Sequence, residues 1–240
     1  MKLVLLPGMD GTGRLFAPLL SRLDDSLEPV VIAYPEHEQL DYGRLHQFVR
    51  ARLPEGEPFV LLGESFSGPV ALTLAAAAPA GLCGLILCAT FMRNPMPVLA
   101  PLGRIAAYLP LKALPAWVVA VPLFGRASTR PMRKTLGETL AAVAPRVMRQ
   151  RMHAVFACDL DSSACAIRVP ALYLRASGDH LVSLRSAHEL QACMPGLKIA
   201  SLDAPHMLLQ TRPAEAAELI HAFAAGLPTQ DDAPPICEQK

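Results

Sequence analysis

Residues 58–78 read PFVLLGESFSGPVALTLAAAA, and no other stretch limits the fold of this chain so tightly. Phe59 to Leu62 is a short apolar run bounded by Pro58 and Gly63, long enough for a buried strand and too short for a helix. Val70 to Ala78 is a run of strong helix formers ended by Pro79. Between them, Gly63-Glu64-Ser65-Phe66-Ser67-Gly68 must turn the chain from strand to helix within a few residues. A serine on so tight a turn projects its hydroxyl clear of the backbone. It also lies at a helix N-terminus, where free N–H groups and the helix dipole favour developing negative charge. The spacing is that of a nucleophile elbow, G-x-S-x-G, except that Ser67 stands at the second glycine and Gly68 follows it. That position needs a small residue because helix and strand pack closely, and serine is small enough. Taken alone, the pentapeptide also fits an ordinary strand–turn–helix unit, so its meaning depends on the rest of the chain.

The chain of 240 residues can bury one sizeable core. Hydrophobic residues make up 52% and charged residues 18%, which excludes a disordered protein. A net charge of +1 argues against a general nucleic-acid binder. The charge is unevenly placed, however. Residues 91–158 carry ten Lys/Arg against the single acid Glu138, so this segment is +9 and the remainder −8. The six cysteines show neither CxxC pairing nor metal-ligand spacing, and Cys83 and Cys88 flank a strand pattern as small core hydrophobes. Lys2 and the short run Leu3–Leu6, broken by Pro7-Gly8, do not make a signal peptide. The longest apolar region, Ala113 to Phe124, is interrupted by Pro115 and Pro122 and cannot be a membrane span. A soluble cytoplasmic protein is the expectation.

In chain order, Leu3–Leu6 reads as a buried strand, followed by the glycine-rich loop Pro7–Gly13 and helical spacing over Leu15–Leu23. A second strand is expected at Val30–Ala33, then an amphipathic helix over Asp41–Leu53 with Asp41 as N-cap. After the elbow comes a strand at Leu85–Ala89. The alternation then stops: residues 91–166 show helical runs at Val98–Tyr108, Lys112–Phe124 and Leu136–Cys158 with no strand signal. Strands resume at Val169–Leu174 and Leu197–Leu202, separated by a helix near Leu184–Cys193, and a helix over Pro213–Ala225 closes the pattern. This order predicts an α/β fold with a parallel sheet covered on both faces. The helical insertion after the fourth strand would stand over the carboxyl ends of the strands, where such sheets bind ligands. The expected division is therefore a core of 1–90 and 167–226, a helical cap of 91–166 and a flexible tail of 227–240.

A serine hydroxyl needs a base within hydrogen-bond reach, and the base needs an acid to orient it. Seven histidines compete for the role of base; His206 follows a strand directly, in Ala204-Pro205-His206, while His37 sits in a polar loop and His180 adjoins Asp179. Asp179, in Ser177-Gly178-Asp179 after the strand Val169–Leu174, is the leading acid. Asp203 is its rival, and Asp159 and Asp161 sit in the connection from cap to strand. The order Ser65, Asp179, His206, each just past a strand's carboxyl end, is one known arrangement of a Ser/Asp/His triad. An oxyanion formed at Ser65 would need two N–H donors, best supplied by Phe66 and by Met9 in the loop after the first strand. The glycines of that loop also imitate a nucleotide site, but the spacing is not GxGxxG and no P-loop lysine is present. No metal or organic cofactor is implied.

LLPGMDGTG, GESFSGP, SGDHLV and APHMLLQTRP together resemble the motifs of α/β-hydrolase-fold serine esterases, over roughly residues 1–226. The cap position is similar to that of capped bacterial carboxylesterases, and the DGTG portion is similar to plant plastid esterase/acyltransferases. The resemblance implies a mostly parallel sheet of about six strands, lacking the two strands that usually precede the first one here. It implies hydrolysis of a small or acyl-chain ester through Ser65, His206 and Asp179 and an acyl-enzyme. Two alternatives stay open: acyl transfer or thioester cleavage on carrier- or CoA-linked groups, and a ligand-binding protein without turnover. The basic cap is open to two readings as well, a solvated face or a site for an anionic carrier or lipid surface.

Overall fold

Six parallel strands form one sheet in the order β2-β1-β3-β4-β5-β6. They are β1 (Lys2–Leu6), β2 (Glu28–Val31), β3 (Phe59–Glu64), β4 (Leu82–Cys88), β5 (Ala171–Ala176) and β6 (Lys198–Leu202). The computed structural model describes residues 1–97, 116–160 and 166–228. The expected helix at Val98–Tyr108, the start of the Lys112–Phe124 run, Asp161 and the tail beyond 228 lie outside the described residues.

Alternate side chains of the central strands enter two separate cores, as a period of two residues requires. Val4, Leu6, Phe59, Leu61, Leu85 and Leu87 pack on one face, while Leu3, Leu5, Val60, Leu62, Ile86 and Cys88 pack on the other. Both faces are apolar because helices cover both, which is why these strands read as continuous hydrophobic runs. Pro29 is tolerated in β2 because that strand lies at the sheet edge. The chain runs from β1 outward to β2 and then back across to β3. The carboxyl ends of β1 and β3 therefore flank the point where the strand order reverses, a preferred place for a site in such sheets.

Several boundaries differ from the sequence reading; β2 and β4, for example, begin two and three residues earlier than expected. The Leu15–Leu23 pattern is a 3-10 turn at Arg14–Phe16 and one helical turn at Ala17–Leu20, since Pro18 allows only a helix start there. The Leu136–Cys158 run is two helices, Arg130–Ala142 and Pro145–Phe156; Pro145 would remove a hydrogen bond from a helix interior and instead begins a helix, where its missing N–H costs nothing. The strand expected at Val169–Leu174 is Ala171–Ala176, two residues later. Asp41 caps its helix as expected, accepting the Arg44 N–H at 2.8 Å.

The chain leaves the core and returns to it through a narrow neck. Arg93 and Asp159 form an antiparallel bridge, flanked by Asn94 N–H to Cys158 O at 2.8 Å and Leu160 N–H to Met92 O at 2.9 Å. The helix Pro145–Phe156 is seated on the core beside this neck. Ala144 N–H donates to Glu36 O at 2.8 Å and Arg146 Nη2 to His37 O at 3.0 Å. Of the ten basic residues in the 91–158 segment, Arg151 does not face water: it is 2% exposed and turned into the molecule.

Candidate active site

β3 ends at Glu64, a 3-10 turn covers Ser65–Ser67, and the α-helix Gly68–Ala76 starts at once. Ser65 takes φ 49°, a left-handed conformation that costs a non-glycine residue about 1–3 kcal/mol. Neighbouring contacts hold it there: Thr90 Oγ1 donates to Ser65 O, and Phe66 is fully buried and stacked on Tyr42 at 5.1 Å between ring centres. The close approach of strand and helix falls on Gly63, where a Cβ would lie 2.7 Å from that of Ala71, and a second tight contact falls on Gly68 rather than on the position of Ser67. A Cβ on Gly68 would lie 1.8 Å from Thr90 Oγ1, whereas Ser67 has room for its side chain and uses it. Its hydroxyl donates to Pro7 O and accepts from Tyr34 Oη at 2.6 Å. The substitution for glycine in the elbow is thus a buried hydrogen-bonding group joining the elbow to the loop after β1. The sequence reading missed this, although the departure from the motif was the signal for it.

Ser65 Oγ lies 2.8 Å from His206 Nε2, and His206 Nδ1 lies 2.7 Å from Asp179 Oδ2. The second oxygen of Asp179 accepts the Leu181 and Val182 N–H groups at 2.7 and 2.9 Å, so the carboxylate cannot rotate freely. With Nδ1 donating to the carboxylate, neutral His206 presents the lone pair of Nε2 to the serine hydroxyl. The loops after β3, β5 and β6 thereby bring together side chains that are 27 to 141 residues apart along the chain. The rival acid, Asp203, is exposed, and its backbone carbonyl accepts from Arg212 Nε at 2.9 Å. Asp159 pairs with Arg93, His46 contacts Thr73, His221 contacts Asp24, and His180 and His188 are exposed.

Phe66 N–H belongs to the first turn after the strand, where backbone donors lack helical acceptors. Met9, with Gly8 and Asp10, lines the same cavity as Ser65 and His206. This cavity holds about 250 Å³, and apart from those groups its walls, among the described residues, are apolar. All three described cap helices contribute, with Leu123, Leu136, Met148 and Phe156 among the lining residues, and Leu181 closes the side next to Asp179. Among the described residues, no group of three or more His, Cys, Asp or Glu is placed to hold a metal ion. The glycine-rich loop has a structural account: Gly11, at φ 70°, leaves space for the Arg151 guanidinium.

Glu64, immediately before the serine, is buried. Gln210 Nε2 donates to its Oε1 at 2.9 Å. Burial pushes its carboxyl up to about 7, opposed by the Gln210 hydrogen bond and reinforced by nearby Asp10, with smaller effects of His206 and the Gly8 N–H. Glu64 touches the loops after β1 and β6 as well as its own, a role that no sequence spacing announces.

Solved structures share this architecture at low identity. An esterase from Exiguobacterium antarcticum superposes with a TM-score of 0.82 at 14% identity, over 94% of this chain and 92% of the other. An enol-lactonase from Burkholderia xenovorans gives 0.77 at 18%, over 93% and 91%, and a bromoperoxidase from Bacillus anthracis 0.82 at 14%, over 93% and 91%. At such identities the likeness establishes the fold and not the reaction. No curated protein sequence matches. Residues 3–219 match the family described as the alpha/beta hydrolase family. With nine-tenths of the chain inside that match, the sheet order and the strand-to-helix turn have their common origin: this chain belongs to the alpha/beta hydrolase family.

Proposed function

We propose that the chain is a serine carboxylesterase acting on esters with an uncharged aliphatic acyl group. The observation that carries this reading is the hydrogen-bonded line Ser65–His206–Asp179 opening on an apolar cavity of about 250 Å³. Ser65 Oγ attacks the ester carbonyl as its proton passes to His206 Nε2, and Asp179 stabilises the imidazolium across Nδ1. The oxyanion is received by the Met9 and Phe66 N–H groups. The imidazolium then returns its proton to the leaving alcohol, and water activated by His206 releases the acid. The described walls offer a long aliphatic group contact without desolvating a charge, and among the described residues they offer no cation to an anionic acyl chain. Residues 91–166 serve as the cap and 1–90 with 167–226 as the core, a division supported by the bridged neck at Arg93 and Asp159.

The relatives named esterase and enol-lactonase are consistent with ester cleavage on this fold. An anionic carrier at the cap has less behind it. Arg151 is buried, Arg146 is engaged with His37 O, and Lys134 pairs with Glu138 at 3.8 Å. The deciding experiment is a panel of p-nitrophenyl esters of increasing chain length, with and without added alcohol, on the native chain and Ser65→Ala. Turnover rising with chain length and vanishing in Ser65→Ala is expected, together with fluorophosphonate labelling of the native chain alone. Transfer to the alcohol exceeding hydrolysis would make it an acyltransferase. Undiminished turnover in Ser65→Ala would defeat the reading.

A further inference from the structure

Arg151 is a buried cation with no carboxylate in direct contact among the described residues. Its guanidinium spends its donors on backbone carbonyls: Nη1 on Met9 O at 2.9 Å and Asp10 O at 2.7 Å, and Nη2 on Pro35 O at 3.1 Å. Asp10 and Glu36 act on it only at longer range, while its guanidinium carbon stands over the Tyr34 ring, 5.7 Å from the ring centre. Burying a charge in this way is unfavourable unless its hydrogen bonds are good, and a leucine or methionine would fill the space with less desolvation. A packing role alone therefore does not account for an arginine here.

Two of the three carbonyls it grips, Met9 O and Asp10 O, belong to the loop that carries the candidate oxyanion donor, and Pro35 O belongs to the loop after β2. The peptide between Asp10 and Gly11 accepts from Arg151 at its carbonyl, and its N–H donates to Gly8 O at 3.0 Å. Gly8 O is the carbonyl of the peptide whose N–H is that of Met9. The positive charge is thus joined to the Met9 N–H through two peptide units, and hydrogen bonds in such a chain polarise one another. Met9 O, on the peptide in between, is held by the same Nη1. A second observation points the same way. A Cβ on Gly11 would fall 2.4 Å from Arg151 Nη1, so the loop has kept open the space the guanidinium needs.

We propose that Arg151, reaching from the cap helix Pro145–Phe156 into the core, is a positioning residue that orients and polarises the Met9 N–H for the oxyanion. The proposal rests on the esterase reading above. It makes the cap part of the catalytic apparatus, since the helix that walls the acyl cavity also sets the loop that receives the charge. Its substrate side and its charge side are then one rigid element.

The test compares the native chain with Arg151→Met and Arg151→Lys, each corrected for folded protein by thermal melting and by titration with a fluorophosphonate. A trifluoromethyl ketone, which forms a tetrahedral adduct with an oxyanion, and the methyl ketone of equal chain length, which occupies the cavity unreacted, serve as paired inhibitors. Arg151→Met is expected to lose about 10- to 100-fold in kcat with KM little changed, less than the loss of a whole oxyanion donor. It should bind the trifluoromethyl ketone more weakly by a similar factor and the methyl ketone as before. Arg151→Lys keeps the charge but cannot reach three carbonyls at once, and should fall between the two. Equal weakening of both ketones, or a raised KM with kcat intact, would mean that Arg151 merely props the cavity, and would overturn the proposal. Should Arg151→Met fail to fold, a folded Arg151→Lys with the native ratio of the two ketone affinities overturns it equally. Loss of turnover in Ser65→Ala alongside a native ketone ratio in Arg151→Met would sink this inference alone. Survival of turnover in Ser65→Ala would sink the reading beneath it.

Discussion

The two halves of the site reach their geometry by opposite means. The elbow is local: β3, a three-residue turn and the following helix are contiguous, and Gly63, Gly68 and Pro69 make the turn possible within a dozen residues. The loop after β1 is braced from outside. Each carbonyl from Pro7 to Gly11 accepts a hydrogen bond, from Ser67 Oγ, Gly11 N–H, Arg151 Nη1 twice, and Tyr34 N–H at 2.7 Å. One of these five bonds is made within the loop; the others come from the elbow, the loop after β2 and the cap. A tight backbone turn can place a nucleophile with few outside contacts, here Thr90 Oγ1 on Ser65 O and Tyr42 stacked on Phe66. A receiver for negative charge must keep N–H groups pointing into an apolar space, and only surrounding partners for the opposite ends of those peptides can hold them so.

The largest effect should come from the local half. Ser65→Ala is expected to lower ester turnover about 10⁴-fold or more, read as kcat/KM on a medium-chain p-nitrophenyl ester. Asp179→Asn follows, with a loss of about 10³- to 10⁴-fold, because the amide would present a donor to Nδ1 and favour the wrong imidazole tautomer. Its melting temperature should change little by comparison, which separates chemistry from folding.

Glu64 joins the two halves, and its behaviour with pH sharpens the comparison. Its folded carboxyl is raised to about 7 from an ordinary value of 4.5 by burial. The folded state therefore holds the proton more tightly than the unfolded chain. The stabilisation is complete below about pH 4.5 and is lost as pH rises through 7, a loss of about 3 kcal/mol from this group. Urea denaturation at pH 5 and pH 8 should show that slope in the native chain, reduced in Glu64→Gln. An identical slope in both would remove Glu64 from the account.

The smallest expected effect belongs to the strut between the halves. Ser67→Ala leaves the Tyr34 hydroxyl and Pro7 O without their shared partner, and should cost about 1–3 kcal/mol of stability. Turnover per folded molecule should fall only a few-fold, since Arg151 still holds the rest of the loop. A collapse of activity as deep as that of Ser65→Ala would show that the loop is not braced redundantly.

How far these features could be read in advance follows from their reach along the chain. Ser65, Asp179 and His206 each follow a strand that announces itself by composition, so their common location at one end of the sheet follows from counting strands. The boundary errors were of another kind. Pro145 was plain in the sequence as the start of a helix, yet the apolar spacing on either side of it favoured one long run. Arg151 also left a trace: it lies on the same helix face as Val147, Met148 and Val155, an arginine on an apolar stripe. Its three acceptors are 116 to 142 residues away, and nothing in the pattern could name them.

Local chemistry, then, determined the parallel sheet, the elbow and the identity of the three side chains beside it. Periodicity and turn residues act over a few positions and are visible as such. The tertiary structure alone decided that Ser67 would be a strut, that Glu64 would be held near neutrality, and that a cap arginine would seat itself under the loop after β1. Each of these depends on burial and on partners that folding brings from far along the chain, and a buried polar group takes its meaning from those partners.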